Sequence, residues 1–369
     1  MTSLTVGNGG SGNSLVVSNG GHVTAEYTYI SRGAGAADNS VVVTGPGSTL
    51  SNTMNMLVGV SGSGGSLVVS DGATIRSFIG QLGYNAGSSN NSALVTGSGS
   101  VWNNPNSYYG IQVGVSGGAT LTVANGGTVN LNGTTLGLTL AENAGSTGTL
   151  NIGRFGTNDA AGTVSTPKIG FGAGTGTINF NQSNSTTISA PISGNGSVNQ
   201  LGSGTTILTG NNTYTGPTTV EDGTLLVGGQ ISLSDVSVLN GAAIGGAGTL
   251  GGSLSMAAGA QFVFSLSGAL TVNGASVTFG DFGIDDLVGL DSNVANGAYT
   301  LITGTAAINF SNIANLGAQN AVGISGGKQA YFSEGSLVVN VIPEPSTYAL
   351  LGLSAVALGA HVLRRRRRV

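Results

Sequence analysis

Glycine supplies 67 of 369 residues, far above its usual share of roughly 7 %, while charged residues make up 7 % and cysteine is absent. These figures exclude a disulfide scaffold, a thiolate metal site and a cysteine nucleophile; collagen is excluded because glycine does not recur every third residue, and an apolar content of 39 % fits disorder poorly. Five of the ten cations are Arg364 to Arg368, so the body before them sets five cations against 14 anions, a net of −9, and carries no nucleic-acid footprint.

A short signature recurs along the first half. It reads Ser14-Leu15-Val16-Val17-Ser18-Asn19-Gly20, then Ser40-Val41-Val42-Val43-Thr44-Gly45, Ser66-Leu67-Val68-Val69-Ser70-Asp71-Gly72 and Ser92-Ala93-Leu94-Val95-Thr96-Gly97. Looser copies start at Thr120, Thr149 and Thr177, giving spacings of 26, 26, 26, 28, 29 and 28. Alternate copies match best. The run Ser98-Gly99-Ser100-Val101-Trp102-Asn103-Asn104 echoes Pro46-Gly47-Ser48-Thr49-Leu50-Ser51-Asn52, which points to duplication of a 52-residue block of two units.

The pattern inside each copy predicts a strand. Leu15, Val41, Leu67, Ala93, Leu121, Leu150 and Ile178 are followed two residues later by Val17, Val43, Val69, Val95, Val123, Ile152 and Phe180. The residue between drifts to polar, from Val16, Val42, Val68 and Leu94 to Thr122, Asn151 and Asn179. Alternation of this kind buries the outer pair and points the middle residue outward. Gly, Asn and Asp after each strand supply turns. Two further apolar points recur per unit, one near Val23, Leu50, Ile75, Val101 and Val129, the other near Ile30, Val58, Ile79, Val113 and Leu138. Three short strands per unit predict an all-β chain, a right-handed parallel β-helix (β-solenoid) with coils of about 26 residues, over residues 1–200. Seven coils at ~4.8 Å would make a rod of roughly 30 Å.

Residues 201–228 carry Leu208-Thr209-Gly210, Asn212-Thr213-Tyr214-Thr215-Gly216, Thr218-Thr219-Val220 and Gly223-Thr224-Leu225-Leu226-Val227. This segment resembles the autotransporter-associated β-strand repeat. The resemblance implies a parallel β-helix in an exported surface protein of a Gram-negative-type bacterium, and it implies no catalysis. The pattern continues loosely to 272, through Gly248-Thr249-Leu250 and Leu254-Ser255-Met256. Residues 273–342 are expected to form a divergent β-rich cap over the open end of the stack, with strands at Tyr299-Thr300-Leu301-Ile302 and Ser336-Leu337-Val338-Val339.

The last segment, 343–369, has three parts. Pro343-Glu344-Pro345-Ser346 reads as a rigid turn, Tyr348 to Leu363 as an apolar helix, and Arg364, Arg365, Arg366, Arg367 and Arg368 as a basic stop. Sixteen helical residues span roughly 24 Å, slightly short of a ~30 Å membrane core, and snorkelling Arg stems cover part of the difference. Positive charge stays on the cytoplasmic side, which places the body across the membrane. This order of parts closely resembles the PEP-CTERM sorting signal, with Pro343, Glu344 and Pro345 on its motif. The resemblance implies an exosortase as processing partner and, after tail removal, a place at the cell surface or in an exopolysaccharide matrix. A plain C-terminal membrane anchor is the simpler alternative. The start, Met1-Thr2-Ser3-Leu4-Thr5-Val6-Gly7, has neither a basic nor an apolar leader region, so an export tail predicts a longer parent chain with a signal peptide.

Enzyme chemistry has few raw materials. His22 is the one histidine outside the tail and reads as a solvated turn residue. A carbohydrate-active β-helix enzyme, a lyase or hydrolase, would need carboxylates gathered with Arg or Lys in one groove. The body offers Arg32, Arg76, Arg154, Lys168 and Lys328, far apart in sequence, and Glu221-Asp222 reads as a turn pair. Asp281, Asp285, Asp286 and Asp291 are the one weak metal candidate, for Ca²⁺, and otherwise no metal or cofactor is expected. Asp281-Phe282-Gly283 stands without any other kinase motif. Val16, Val42, Val68 and Leu94 should form an outward apolar stripe, a candidate partner face unless a loop covers it. Together these readings favour a non-enzymatic surface or matrix protein that offers repeated Ser, Thr and Asn faces to polymers. Ice adhesion is a further alternative, disfavoured because threonines do not recur from coil to coil.

Overall fold

The computed structural model describes residues 2–105, 108–291 and 293–344. The repeat signature builds one continuous 13-stranded sheet, running from Ser14–Val17 through Ser40–Thr44, Ser66–Ser70 and Asn91–Thr96 to Ser276–Phe279 and Ala307–Ile308. Its strands are parallel, and the first inward column stacks in register: Leu15 on Val41, Val41 on Leu67, Leu67 on Ala93, then Leu121, Leu150 and Ile178. Val17, Val43, Val69, Val95, Val123, Ile152 and Phe180 stack in the same way two residues on. All are buried except Leu15, which is partly buried against the core. Thirteen strands at ~4.8 Å give a stack of roughly 60 Å, twice the length expected from seven copies.

Two more parallel sheets complete each early coil. An eight-stranded sheet begins at Ser3–Val6 and Tyr27–Ile30 and ends at Ile192–Ser193; a six-stranded sheet runs from His22–Ala25 to Thr163–Ser165. Each sheet takes every third strand in chain order, which is the connectivity of a β-solenoid.

Three side chains assigned to inward columns sit elsewhere. In the six-stranded sheet the column is Val23, Leu50, Ile75, Trp102 and Val129; Val101 pairs with Thr74 and Thr128 and faces out. In the eight-stranded sheet it is Val6, Ile30, Val58, Leu82, Val113, Leu140 and Phe171. Ile79 stands opposite Asn55, and Leu138 belongs to the neighbouring buried column of Ile111, Ile169 and Ile192. For Val101 and Ile79 the physical reason is the period of two: a one-residue slip reverses the face, and a Trp can fill a place that Leu or Ile fills elsewhere, whereas Leu138, two residues from Leu140, keeps the inward face.

The 52-residue duplication is visible in three dimensions. Asn39 packs over Gly7 and Asn91 over Gly59; these glycines have φ of 82° and 72°, and a Cβ on either would stand within 2.2 Å of the amide. Ser48 Oγ accepts the Gly20 N–H at 3.1 Å, and Ser100 Oγ accepts the Gly72 N–H at 3.0 Å.

Past residue 176 the coil shortens, a correction to the uniform 26-residue coil. Partnered residues are 20 apart at Gly176 and Gly196 and at Val198 and Thr218, then 18 apart at Val236 and Leu254. Strands shrink to two residues, as at Asn211–Asn212 and Gln230–Ile231. At the step, Phe171 lies across Gly176 and Gly196, where a Cβ on either would come within 2.3 Å of its ring, and meets Tyr214 edge to face at 6.4 Å. After Gly297–Thr303 the pairing turns antiparallel through Leu337–Pro343, Lys328–Ser333 and Val322–Ile324. Phe279, Phe282 and Phe332 pack together beside them, with centroids 4.9 and 5.6 Å apart. The helices among the described residues are the short 3₁₀ turns Ile284–Asp286 and Ala318–Asn320, and none is long and apolar enough to cross a membrane. The expected apolar helix at Tyr348 to Leu363 and the Arg364 to Arg368 stop lie outside the described residues.

Candidate functional site

The most extended regular surface is the outer side of the 13-stranded sheet. Inward burial of every second residue forces the others outward, and parallel register gathers them into columns. Ser14, Ser40, Ser66, Ser92, Thr120, Thr149, Thr177 and Ser197 form one column of hydroxyls. Two residues along each strand, Val16, Val42, Val68 and Leu94 stack in register, with Val16 57 % exposed and the other three half-buried. The same column continues as Thr122, Asn151, Asn179, Asn199, Thr219, Ser237, Ser255 and Thr278.

Amides couple the middle of this column. Asn179 Nδ2 donates to Asn151 Oδ1 at 3.0 Å, and Asn199 Nδ2 donates to Asn179 Oδ1 at 2.9 Å. Both columns are uncharged throughout, spaced ~4.8 Å between coils and ~6.7 Å along a strand. The face is therefore a regular grid of hydroxyl and amide groups with an apolar stripe at one end. Threonines do recur between coils here: Thr149 pairs with Thr120 and Thr177, and Thr147 pairs with Thr175. The expectation that threonines do not recur is thereby corrected: the aligned copy starts Thr120, Thr149 and Thr177 are themselves such a row.

Ionised groups sit at corners. Thr44 and Ser70 hydroxyls donate to Asp71 Oδ2 at 2.8 and 2.9 Å and hold its carboxyl below the usual range. Arg32 lies 4.6 Å above the Tyr29 ring. Burial raises the pKa of Glu142, which accepts a hydrogen bond from Gln112. His22 opens the strand His22–Ala25 rather than lying in a turn, and its Nδ1 is 2.8 Å from Thr49 Oγ1.

The aspartates near 281–291 do not converge. Asp286 accepts the Gly283 N–H at 2.7 Å and Asp291 the Asn293 N–H at 2.8 Å, each closing its own turn. Among the described residues no group of three or more His, Asp or Glu side chains is placed to hold a metal ion. Glu221-Asp222 lies in the turn after Thr218–Val220, where Asp222 Oδ1 accepts the Gly223 N–H at 2.7 Å.

Two hallmark residues of the 201–228 segment, Asn212 and Tyr214, prove to be internal, whereas Thr209, Thr213 and Thr215 are exposed. Asn212 accepts the Ile192 N–H at 3.0 Å and donates to the carbonyls of Gly210 and Gln230. Tyr214 is fully buried; its hydroxyl is 2.6 Å from Thr218 Oγ1, and burial pushes its pKa up to about 12. These residues tie one coil to its neighbours. In the tail, Pro343 is the exposed last residue of the strand Leu337–Pro343, not part of a free turn, and the Glu344 N–H donates to Gly327 O at 3.1 Å. Pro345 lies outside the described residues.

Sequence reasoning also missed a ten-residue excursion, 153–162, between Thr147–Ile152 and Thr163–Ser165. Shorter turns elsewhere in that coil keep the spacing at 28 and conceal it.

Comparison with known proteins agrees with the two local motifs. The family model Passenger-associated-transport-repeat matches residues 198–227, and the PEP-CTERM protein-sorting motif matches residues 341–368. A stretch of 102 residues is 39 % identical to the Adhesin BmaC autotransporter of Brucella suis biovar 1 (strain 1330). That alignment covers 27 % of this chain and 3 % of the adhesin's length.

Proposed function

We propose that this chain is an exported, non-enzymatic surface protein that adheres through the outer side of its long sheet. The observation that carries this reading is the in-register, uncharged grid of Ser, Thr, Asn and Val side chains across coil after coil. Such a grid suits a repetitive partner, because successive coils present small uncharged groups at a fixed interval. A polysaccharide of the cell surface or matrix is the partner class that fits, and likeness to part of an adhesin favours the same reading.

The tail supplies the address. Tyr348 to Leu363 would span the membrane as a helix, the arginine run would hold its cytoplasmic end, and an exosortase would cut near Pro343-Glu344-Pro345. Residues 273–342, with their antiparallel strands and aromatic cluster, would cap the stack at that end.

The test is to produce the full chain as an exported fusion in a bacterium that has an exosortase, and to map the mature C-terminus by mass spectrometry. The tail should be missing from protein that external protease can reach, and Pro343→Ala with Pro345→Ala should leave it attached. Recovery of Arg364 to Arg368 on surface-exposed wild-type protein would overturn the sorting part of the proposal. Protein that external protease cannot reach would overturn the display part.

A further inference from the structure

The excursion 153–162 departs from the stack where the matching corner of the preceding coil, between Gly118–Ala124 and Thr128–Asn130, needs three residues. An insertion into one unit of a repeat array is a common place for a recognition loop. This one is held in a fixed shape. Arg154 Nε and Nη2 donate to the two carboxylate oxygens of Asp159 at 2.6 and 3.1 Å, and Thr157 Oγ1 donates to Arg154 O at 3.0 Å. The bidentate pair closes the loop across its base, with the Asp159 side chain 9 % exposed. Phe155, directly beside the clamp, is 78 % exposed. Apolar collapse would normally draw such a ring inward, and the clamp prevents it.

Next to the ring is a cavity of about 240 Å³. Its walls come from the corners of successive coils: Asn158 from the loop, Asn181 and Ser183 from the next turn, Ser203 from the one after, and Asp222 beyond. Asn181 is buried, and its Nδ2 donates to Gly153 O at 3.1 Å. Its Oδ1 has no hydrogen-bond partner among the described residues. That oxygen is itself closed off from solvent, so the groups open to a ligand are those of the other lining residues.

We propose that this corner binds a neutral pyranose unit of a glycan. A pyranose has an apolar C–H face and a rim of hydroxyls. The Phe155 ring matches the face, while Asn158, Ser183, Ser203 and Asp222 match the rim. Charge selects among sugars: Arg154 is neutralised by Asp159, so Asp222 is the charge left in the lining, and it repels uronic acids. The site lies where the coil shortens, beside the sheet face, so a chain lying along that face would reach it. This proposal rests on the display reading only for where the glycan is met. Binding is measured on purified protein, so failure here leaves surface display standing, and the reverse.

The experiment is calorimetric titration of the full chain in a sugar-free detergent with cellohexaose, maltohexaose, chitohexaose and hexagalacturonate. At least one neutral hexasaccharide should bind, with hexagalacturonate weaker. Phe155→Ala should weaken binding about tenfold, the loss of one aromatic stacking contact with its desolvation. Phe155→Tyr should retain it, and Asp159→Asn should weaken it although the ring is present. Leu233→Ala, which removes another exposed apolar side chain, should change nothing. No binding by any neutral probe, a preference for hexagalacturonate, or Phe155→Ala binding as tightly as the parent would each overturn the site.

Discussion

The indole of Trp102 occupies the space over Gly80, where a Cβ would stand 2.7 Å from the ring and 2.9 Å from Ile111 Cγ1. The two residues belong to different sheets, so the contact crosses the interior of the solenoid. Gly80→Ala should therefore destabilise by about 1–3 kcal/mol through overpacking. Urea unfolding followed by circular dichroism measures this in the single and the double variants alike, since Trp102 is the chain's one tryptophan. Trp102→Phe should recover part of the loss in the double variant, because the smaller ring vacates the space; an Ala at 80 that costs nothing would contradict the packing.

Tyr214 gives the fold a sensitivity to alkali. Burial holds its hydroxyl neutral up to about pH 12, whereas in the unfolded chain it ionises near 10. Below pH 10 both states keep the proton and the stability is intact. Between 10 and 12 the unfolded state loses its proton while the folded state does not, and roughly 2–3 kcal/mol disappears. Denaturation midpoints across that interval should fall in the parent protein and fall less in Tyr214→Phe.

The Arg154–Asp159 clamp should persist in mild acid. The guanidinium hydrogen bonds hold the Asp159 carboxyl well below the usual carboxylate range. Its contribution is present above an ordinary pKa of roughly 3.9 and is lost only as pH falls through the depressed folded value. The Arg154 N–H also donates to Asp159 Oδ2, at 3.4 Å, and its exchange should stay slow from pH 7 to pH 4, after correction for intrinsic rates. Asp159→Asn should accelerate it at every pH and cost about 1 kcal/mol, a modest amount because half of Arg154 is in water.

Val16, Val42, Val68 and Leu94 form an apolar strip on an otherwise polar grid. Changing all four to Ser should leave the melting temperature within a few degrees, since the strip points away from the core, and should lower adhesion of protein-coated beads to a polysaccharide surface. Adhesion that persists unchanged after the fourfold substitution would remove the strip from the binding face.

The strand pattern and its stacking could be read in advance because a period of two with β-branched residues has one economical arrangement when it recurs every 26 residues. Leu15, Val41 and Leu67 stack as the spacing required. The columns slipped at Val101, where Trp102 takes the inward place, and at Ile79, where Gly80 faces inward beneath that ring; Leu138 is buried but one inward position away from the expected column. The shorter coils past 176 were hidden because their strands have too few residues to show alternation. Phe155 was invisible for a different reason: a lone aromatic in a Gly-rich stretch belongs to no repeating column, so nothing in the sequence marks it as exposed beside the Arg154–Asp159 pair.

The strand Leu337–Pro343 lies between two antiparallel neighbours, Gly297–Thr303 on one edge and Lys328–Ser333 on the other. Any pull on the C-terminal end acts along this strand. Its hydrogen bonds on both edges then share the load in shear, instead of parting one after another as in a peeling hairpin. A load entering at the C-terminal end would therefore be met by both edges of one strand at once, before it reaches any coil of the stack.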